Sequence, residues 1–389
     1  MKQVYLDNAS TTFVDSRVRA VMEHYFSDKF GNPSSLNSIG RTAKEAIEQA
    51  RDSVARLLNS FPNEIVFTSS GTESINLAIK GVARANKNKG NHIITSKAEH
   101  HAVLETCKYL AQEGFEITYL DVDGYGKIDI QELKEAIKKE TILISIMYAN
   151  NEIGTINNIS EIGKIARENN VLFHTDACQA TGYLDLDVNK LNVDLMTLNG
   201  SKIYAPKGVG VLFVKEGINI QPIIHGGGQE FGLRSGTENV PAIIGFAKAL
   251  EIAQQEKDFE TKRLTQLRNK LINGLLDVPN TLLNGHPTDR LPNNVNISLL
   301  DIESEVTLSY LDELGIYASS GSACTSKKIE PSHVILAIGM PKNAAYGTIR
   351  FTLGKVTLEE DIDYVIESFK KVVNEIRSLR QNTITLESR

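Results

Sequence analysis

The sequence of 389 residues holds only three cysteines, Cys107, Cys178 and Cys324, and no two of them form a CxxC pair. A disulfide framework is excluded, and the scarcity points to a reducing compartment where each thiol is judged by its own surroundings. Positive charge is in short supply too, with 42 Lys and Arg against 48 Asp and Glu for a net charge of −6. That balance argues against nucleic acid or an anionic membrane as the main partner. No stretch approaches the roughly 18 consecutive apolar residues of a membrane span, and the opening MKQVYLDNAS lacks the apolar run of a secretory leader. A cytoplasmic protein is expected. Internal repeats and low-complexity segments are absent as well.

What is present is an ordinary globular composition, 41% hydrophobic and 23% charged, able to bury a sizeable core. At roughly 100 to 200 residues per domain, the length predicts two domains or three. Short apolar runs alternate with helical patterns: Glu64 to Thr68, His92 to Thr95, Glu116 to Leu120, Thr141 to Ala149 and Val171 to Phe173 read as strands, with amphipathic stretches such as Arg41 to Asn59 between elements. This alternation predicts an α/β fold whose mostly parallel sheet is covered on both faces. A long helix is expected from about Val240 to near Leu276, leading into a second region with strands at Val295 to Leu299 and Ile316 to Ala318.

The stretch Val171 to Val214 concentrates the chemistry. Two apolar runs, Val171 to Phe173 and Val193 to Leu198, are followed at their carboxyl ends by Asp176 and Lys202. Open α/β sheets bind ligands in the crevice beyond the carboxyl ends of their strands. A Lys amine there can form a Schiff base with an aldehyde cofactor, and an Asp facing a pyridine nitrogen keeps it protonated. The pair therefore suits pyridoxal phosphate, although either residue alone reads equally well as a surface charge or a cap.

Other segments carry two readings each. Asp7 to Thr12 can cap a helix or line a site, and Ser69-Ser70-Gly71-Thr72-Glu73 is either an ordinary N-cap or an anion site built on a helix N-terminus. His100 sits at a strand-to-helix junction, where an imidazole could stack on a planar cofactor or simply be hydrogen-bonded. Asn150 to Thr155 closes the Thr141 strand and places amides at another carboxyl end. Cys324, among the small residues of Ser319 to Ser326, reads as an exposed thiol on a mobile loop rather than a buried one. Arg350 lies in an apolar run and needs a carboxylate partner.

Taken in order, TESINLAIKG, AEHHAVLETC, ANNEIGT, TDACQATG, SKIYAPKGVGVLFV, HGGGQE, RSGTEN, SSGSACTS and TIRFTLG resemble the group I cysteine desulfurases of the NifS/IscS type, pyridoxal-phosphate enzymes of the class V aminotransferase family. The resemblance covers essentially the whole chain. It implies the type I fold of such transferases, with a seven-stranded, mostly parallel sheet in a large domain over residues 15–255. Residues 1–14 and 256–389 would form a smaller α+β domain carrying the Cys324 loop. It makes Lys202 the Schiff-base lysine, Asp176 the partner of the ring nitrogen, and His100 a stacking and acid/base residue. Asn151 and Gln179 would bond near the ring hydroxyl, and Gly71, Thr72, Asn199 and Ser201 would complete the cofactor site with Thr237 from the other subunit of a homodimer. Arg350, with Asn151 beside it, would take the substrate carboxylate, and no metal is expected. Cys324 would take sulfur from L-cysteine as a persulfide, release alanine and pass the sulfur to an acceptor protein for iron–sulfur cluster assembly or tRNA thiolation. Selenocysteine lyase activity and a non-catalytic, partner-binding paralogue are the rival expectations.

Two positions depart from the family pattern. Ser201 stands just before Lys202 where the family usually has a phosphate-binding His, which predicts weaker cofactor retention. Cys178 replaces what is commonly a Thr and reads as a packing residue.

Overall fold

The structure, a computed structural model, describes residues 2–321 and 331–387, with side chains described through residue 380. Strand β1 (Val4–Tyr5) opens the chain. The strands β2 (Ile65–Thr68), β3 (His92–Ser96), β4 (Glu116–Leu120), β5 (Thr141–Ser145), β6 (Leu172–Asp176), β7 (Leu195–Asn199) and β8 (Gly210–Val214) then build one seven-stranded sheet. Its order is β2-β8-β7-β6-β5-β3-β4, and β8 alone runs antiparallel to its neighbours. The expected α/β fold with a mostly parallel seven-stranded sheet is what the chain adopts.

Burial explains the run of apolar residues in these strands. All five residues of β3, β5 and β8 are buried, as expected where both faces of a parallel sheet are covered by helices. One cluster packs Ile144, Phe173, Met196 and Phe213 against the helices Ser38–Leu58 and Val240–Leu276. Another packs Ile93, Leu143, Leu195 and Leu212 against Gly71–Ala85 and His101–Gln112. One sequence reading shifts: Thr141 to Ala149 leaves the sheet after Ser145.

The later strands are β9 (Thr281–Leu283), β10 (Asn294–Leu299), β11 (Ile316–Tyr317) and β12 (Thr348–Thr352). An antiparallel sheet runs β12-β10-β9, and β1 pairs with β11 in parallel. Helix Val240–Leu276 buries Phe246 and Leu250 in the core of the large sheet and Leu264 and Leu271 in a separate core with Val4, Leu6, Ile297 and Phe351. The chain start is thereby packed among residues from its last third. Among the described residues, no helix is long and apolar enough to cross a membrane.

Candidate active site

The carboxyl ends of β6 and β7 carry the two residues that the strand pattern predicts. Asp176 ends β6 in register with Thr197 of the parallel neighbour β7, and Lys202 follows in the 3-10 turn Gly200–Lys202. Asp176 is buried, with Oδ1 accepting from the Cys178 amide at 2.9 Å. Two residues earlier, His174 is fully buried between Ser145 Oγ at 2.9 Å and Thr197 Oγ1 at 3.0 Å. Burial pushes this imidazole down to about 4, so the floor beneath Asp176 is neutral near pH 7.

The turn bearing Lys202 is clamped by the start of the chain. Thr12 donates its amide to the Ser201 carbonyl at 2.9 Å, and its hydroxyl accepts from the Tyr204 amide at 2.9 Å. Tyr204 takes φ 64°, a left-handed conformation unusual for a bulky residue. Lys202 Nζ donates to the Ser10 carbonyl at 2.5 Å.

Asp176 and Lys202 open into a cavity of about 310 Å³ that also receives Gly71, Thr72, His100, Asn151, Gln179, Asn199 and Arg350. Gly71 and Thr72 begin helix Gly71–Ala85, whose cap is Ser70, its hydroxyl accepting from the Glu73 amide. The cap reading of that segment is the one seen, and Gly71 and Thr72 of the first turn line the cavity. A methyl on Gly71 would lie 2.8 Å from Cys178 Sγ and 3.3 Å from Asn199 Cβ. Burial raises the Cys178 thiol well above its usual range, which makes it a poor nucleophile and agrees with packing.

His100 caps helix His101–Gln112, its Nδ1 accepting from the Ala102 amide at 3.1 Å. That bond assigns the ring proton to Nε2. Burial, and next the nearby Lys202 charge, lower its affinity for a second proton, against the opposing pull of Asp176. Gln179 Nε2 donates to the Ala9 carbonyl at 3.0 Å. Asn151 Oδ1 is buried without a hydrogen-bond partner among the described residues, and a buried polar atom of this kind calls for one.

Arg350 lies in β12, opposite Asn296 of β10 and bridged on its other side to Ser319. Its Nη1 donates to the Asn151 carbonyl at 2.9 Å, and its Nη2 donates to Asp7 Oδ1 at 2.9 Å and Ser10 Oγ at 2.7 Å. The carboxylate partner required by the sequence reading is Asp7. Thr237 does not line this cavity, and Ser201 is held by its backbone, its amide reaching Asn199 Oδ1 at 3.4 Å. Cys324 lies outside the described residues; Gly321, just before it, borders the cavity.

Several lining residues were not singled out from the sequence. Ser10 belongs to the run read as cap or site. Glu152 is buried, with Oε2 bonded to Ser332 Oγ at 2.5 Å. His101 and His333 stand with rings 4.6 Å apart at the rim, and His333 Nε2 reaches the Glu99 carbonyl at 2.9 Å. Their only local signal is position next to a candidate or within a polar loop. No cluster suited to a metal ion occurs among the described residues.

The arrangement offers an amine, a buried carboxylate, an imidazole, a helix N-terminus and a guanidinium around one space. It can hold a planar, anionic ring cofactor together with a small carboxylate substrate. The family follows from comparisons with known proteins. The chain is 52% identical over 378 residues to cysteine desulfurase IscS of Methanosarcina thermophila, covering 97% of this chain and 94% of that one. A solved NifS-like protein superposes with a TM-score of 0.91 at 39% identity, over 96% of this chain and 100% of that one. A structure described as SspA in complex with cysteine superposes with a TM-score of 0.80 at 38% identity, over 91% and 99%. With residues 4–365 matching the Aminotransferase class-V family, the chain belongs to that family.

Proposed function

We propose that this chain is a pyridoxal-phosphate-dependent cysteine desulfurase that removes sulfur from L-cysteine and releases L-alanine. The observation that carries the reading is the convergence of Lys202, Asp176 and Arg350 on one cavity at the strand carboxyl ends. The relatives named cysteine desulfurase, at about half identity over nearly the full length, support it. The related structure that holds cysteine supports the substrate class.

The residues present fit the cofactor. Lys202 would hold its aldehyde carbon, Asp176 its ring nitrogen, and Asn151, whose Oδ1 has no partner among the described residues, would join Gln179 at its hydroxyl edge. Gly71 and Thr72 would meet the phosphate at the first turn of their helix, where the close approach to Cys178 and Asn199 leaves no room for a side chain at Gly71. Asn199 lines the same cavity, Ser201 would add its hydroxyl from the adjoining turn, and Thr237 would come from the second subunit of a homodimer. When bound, pyridoxal phosphate supplies an electron sink for carbon chemistry on an amino acid.

The remaining work falls to the chain. Arg350 would bind the substrate carboxylate, and His100, which lines the same cavity, would offer its Nε2–H to the bound groups. Cys324, as thiolate, attacks the substrate sulfur. A sulfur–sulfur bond forms as the carbon–sulfur bond breaks, the electron pair returns to the substrate carbon, and that carbon takes up a proton to leave as alanine. The persulfide on Cys324 is then passed to an acceptor protein for cluster assembly or tRNA thiolation. Residues 15–255 would form the cofactor domain, and residues 1–14 and 256–389 the smaller one, in a cytoplasmic enzyme.

The test is sulfide and alanine release from L-cysteine by holoenzyme, with a thiol reductant such as dithiothreitol present to cleave the Cys324 persulfide and free its outer sulfur as sulfide. Wild type should form both in equal amounts, and Cys324→Ala should form neither. Turnover of selenocysteine that survives Cys324→Ala, without turnover of cysteine, would replace the assignment by a selenocysteine lyase. Failure with both amino acids would leave a non-catalytic protein.

A further inference from the structure

The turn Asp7 to Ser10 joins the two charged groups that the substrate must meet. Ser10 touches both: its carbonyl accepts from Lys202 Nζ at 2.5 Å, and its hydroxyl accepts from Arg350 Nη2 at 2.7 Å. That hydroxyl in turn donates to Asp7 Oδ1 at 2.8 Å, and Asp7 Oδ1 also accepts from Arg350 Nη2 at 2.9 Å. The three residues close a triangle. Arg350 is buried, its side chain only 4% exposed, while Asp7 is 20% exposed.

Strand β12 fixes only the Cα of Arg350, and four rotatable bonds separate that atom from the guanidinium. A buried guanidinium also needs a counter-charge to remain where it is. Asp7 supplies the charge, Ser10 the second acceptor, and the Asn151 carbonyl at 2.9 Å holds Nη1. The turn is itself anchored, because the Asn8 amide side chain donates to the Thr352 carbonyl at 2.8 Å and the Ala9 amide donates to Thr352 Oγ1 at 2.9 Å. Arg350 is thus held by a turn that is pinned to its own strand two residues further on.

We infer that Asp7 and Ser10 are positioning residues for carboxylate recognition: they preset the Arg350 guanidinium on the side of the cavity where Ser10 also meets Lys202, so that the site selects amino acids with a free α-carboxylate. The inference rests on the proposed function, which assigns the carboxylate to Arg350. A preset fork binds without the ordering cost that a free side chain incurs. Loss of either holder should therefore weaken binding of a carboxylate and leave the chemistry of bound substrate largely as it was.

The experiment compares Asp7→Asn, Asp7→Ala and Ser10→Ala holoenzymes with wild type. It measures kcat and KM for L-cysteine, and inhibition by L-alanine and by L-alaninamide, which lacks the carboxylate. Asp7→Ala should raise KM for L-cysteine and the inhibition constant of L-alanine roughly tenfold, with kcat changed less than about twofold. Asp7→Asn and Ser10→Ala should show the same split with smaller shifts. Inhibition by L-alaninamide should not move. Equal shifts for L-alanine and L-alaninamide, a fall confined to kcat, or unchanged constants would each overturn the inference. If Asp7→Ala does not fold, Ser10→Ala and Asp7→Asn decide the matter by the same ratio. Inactive wild type would instead refute the proposed function, and binding of L-alanine against L-alaninamide, measured by calorimetry, would still test the turn.

Discussion

Gly71 and Cys178 meet so closely that a Cβ on the glycine would stand 2.8 Å from the cysteine Sγ. The contact links the first turn of helix Gly71–Ala85 to the residue two places after Asp176. Gly71 has an ordinary negative φ, so Gly71→Ala should be penalised by contact and not by backbone strain. Overpacking of this kind costs about 1–3 kcal/mol. Gly71→Ala is expected to destabilise the protein by that amount and to weaken cofactor binding, and adding Cys178→Ala should recover most of both. Urea denaturation and titration of apo-protein with pyridoxal phosphate check this, and a double variant no better than Gly71→Ala would refute it.

The state of His100 sets an expectation for the pH profile. Burial and the neighbouring Lys202 both hold its second protonation below the ordinary imidazole value of 6.5. Adding that proton also breaks the Nδ1 bond to the Ala102 amide. The acid limb of kcat/KM that belongs to His100 should therefore lie below pH 6.5. Rates measured from pH 4.5 to 8 for wild type and His100→Gln test this; a His100-dependent midpoint above 6.5 would contradict it.

Asp176, Lys202 and Gly71 were legible because each directly follows a short apolar run, and parallel topology puts such ends on one edge of the sheet. The parallel sheet and the 37-residue helix Val240–Leu276 were equally visible in periodicity. Ser10 was not, because its two defining contacts lie 192 and 340 residues away in sequence. Local chemistry leaves its run open between a cap and a site-lining loop and does not single out Ser10. Asp7 was hidden for the same reason, and Arg350 announced the need for a carboxylate without saying which. Glu152 defeated the reading because a charged loop residue is normally solvated, whereas here Ser332 and the packed loop bury it. The antiparallel setting of β8 depends on which strand it meets, and its own apolar run is silent on direction.

Two buried groups give opposite slopes to stability against pH. Glu99 is fully buried, with Oε1 accepting from the Met147 amide at 2.9 Å and Ser96 Oγ at 3.0 Å, and with Oε2 lacking a partner among the described residues. Burial pushes its carboxyl up from 4.5 to about 8. Between those values the folded chain keeps a proton that the unfolded chain has released, so stability falls as pH rises. His174 acts the other way, since between 6.5 and about 4 the unfolded chain binds the proton and the folded chain does not. Its contribution is complete above pH 6.5, where Glu99 alone remains. Glu99→Gln should therefore gain about 2 kcal/mol relative to wild type between pH 6.5 and 8. Urea denaturation at both pH values measures it, and a difference that does not grow with pH would remove Glu99 as the cause.

Ser201 sets the expected strength of cofactor binding. Its backbone is engaged on both sides, by Thr12 and by Asn199, so a larger side chain changes the site without changing the turn. A charge-assisted hydrogen bond contributes about 1.5–3 kcal/mol against about 1 for a neutral one. Ser201→His should therefore tighten pyridoxal phosphate binding about tenfold, as read by titrating apo-protein. No gain in affinity would show that the phosphate end is already saturated by Gly71, Thr72 and their neighbours.

The segment that carries Thr237 depends on a buried ion pair. Arg51 and Glu230, with side chains 3% and 2% exposed, bond at 2.8 Å through both guanidinium nitrogens. Glu230 also accepts from the Phe67 amide at 2.7 Å, and the guanidinium lies between the rings of Phe67 and Phe231, 5.0 and 4.9 Å from their centroids. Glu230 and Phe231 take φ 49° and 59°, two consecutive left-handed residues without a glycine. Such a turn persists only where its surroundings determine it, and here the ion pair does so. Glu230→Ala leaves Arg51 buried without its charge partner, which costs about 3–5 kcal/mol. Glu230→Ala combined with Arg51→Met should recover part of that loss in urea denaturation while leaving the turn unpinned. If Thr237 serves the neighbouring subunit, the double variant should still bind pyridoxal phosphate less tightly than wild type. Full recovery of cofactor affinity along with stability would show that the pair serves the fold alone.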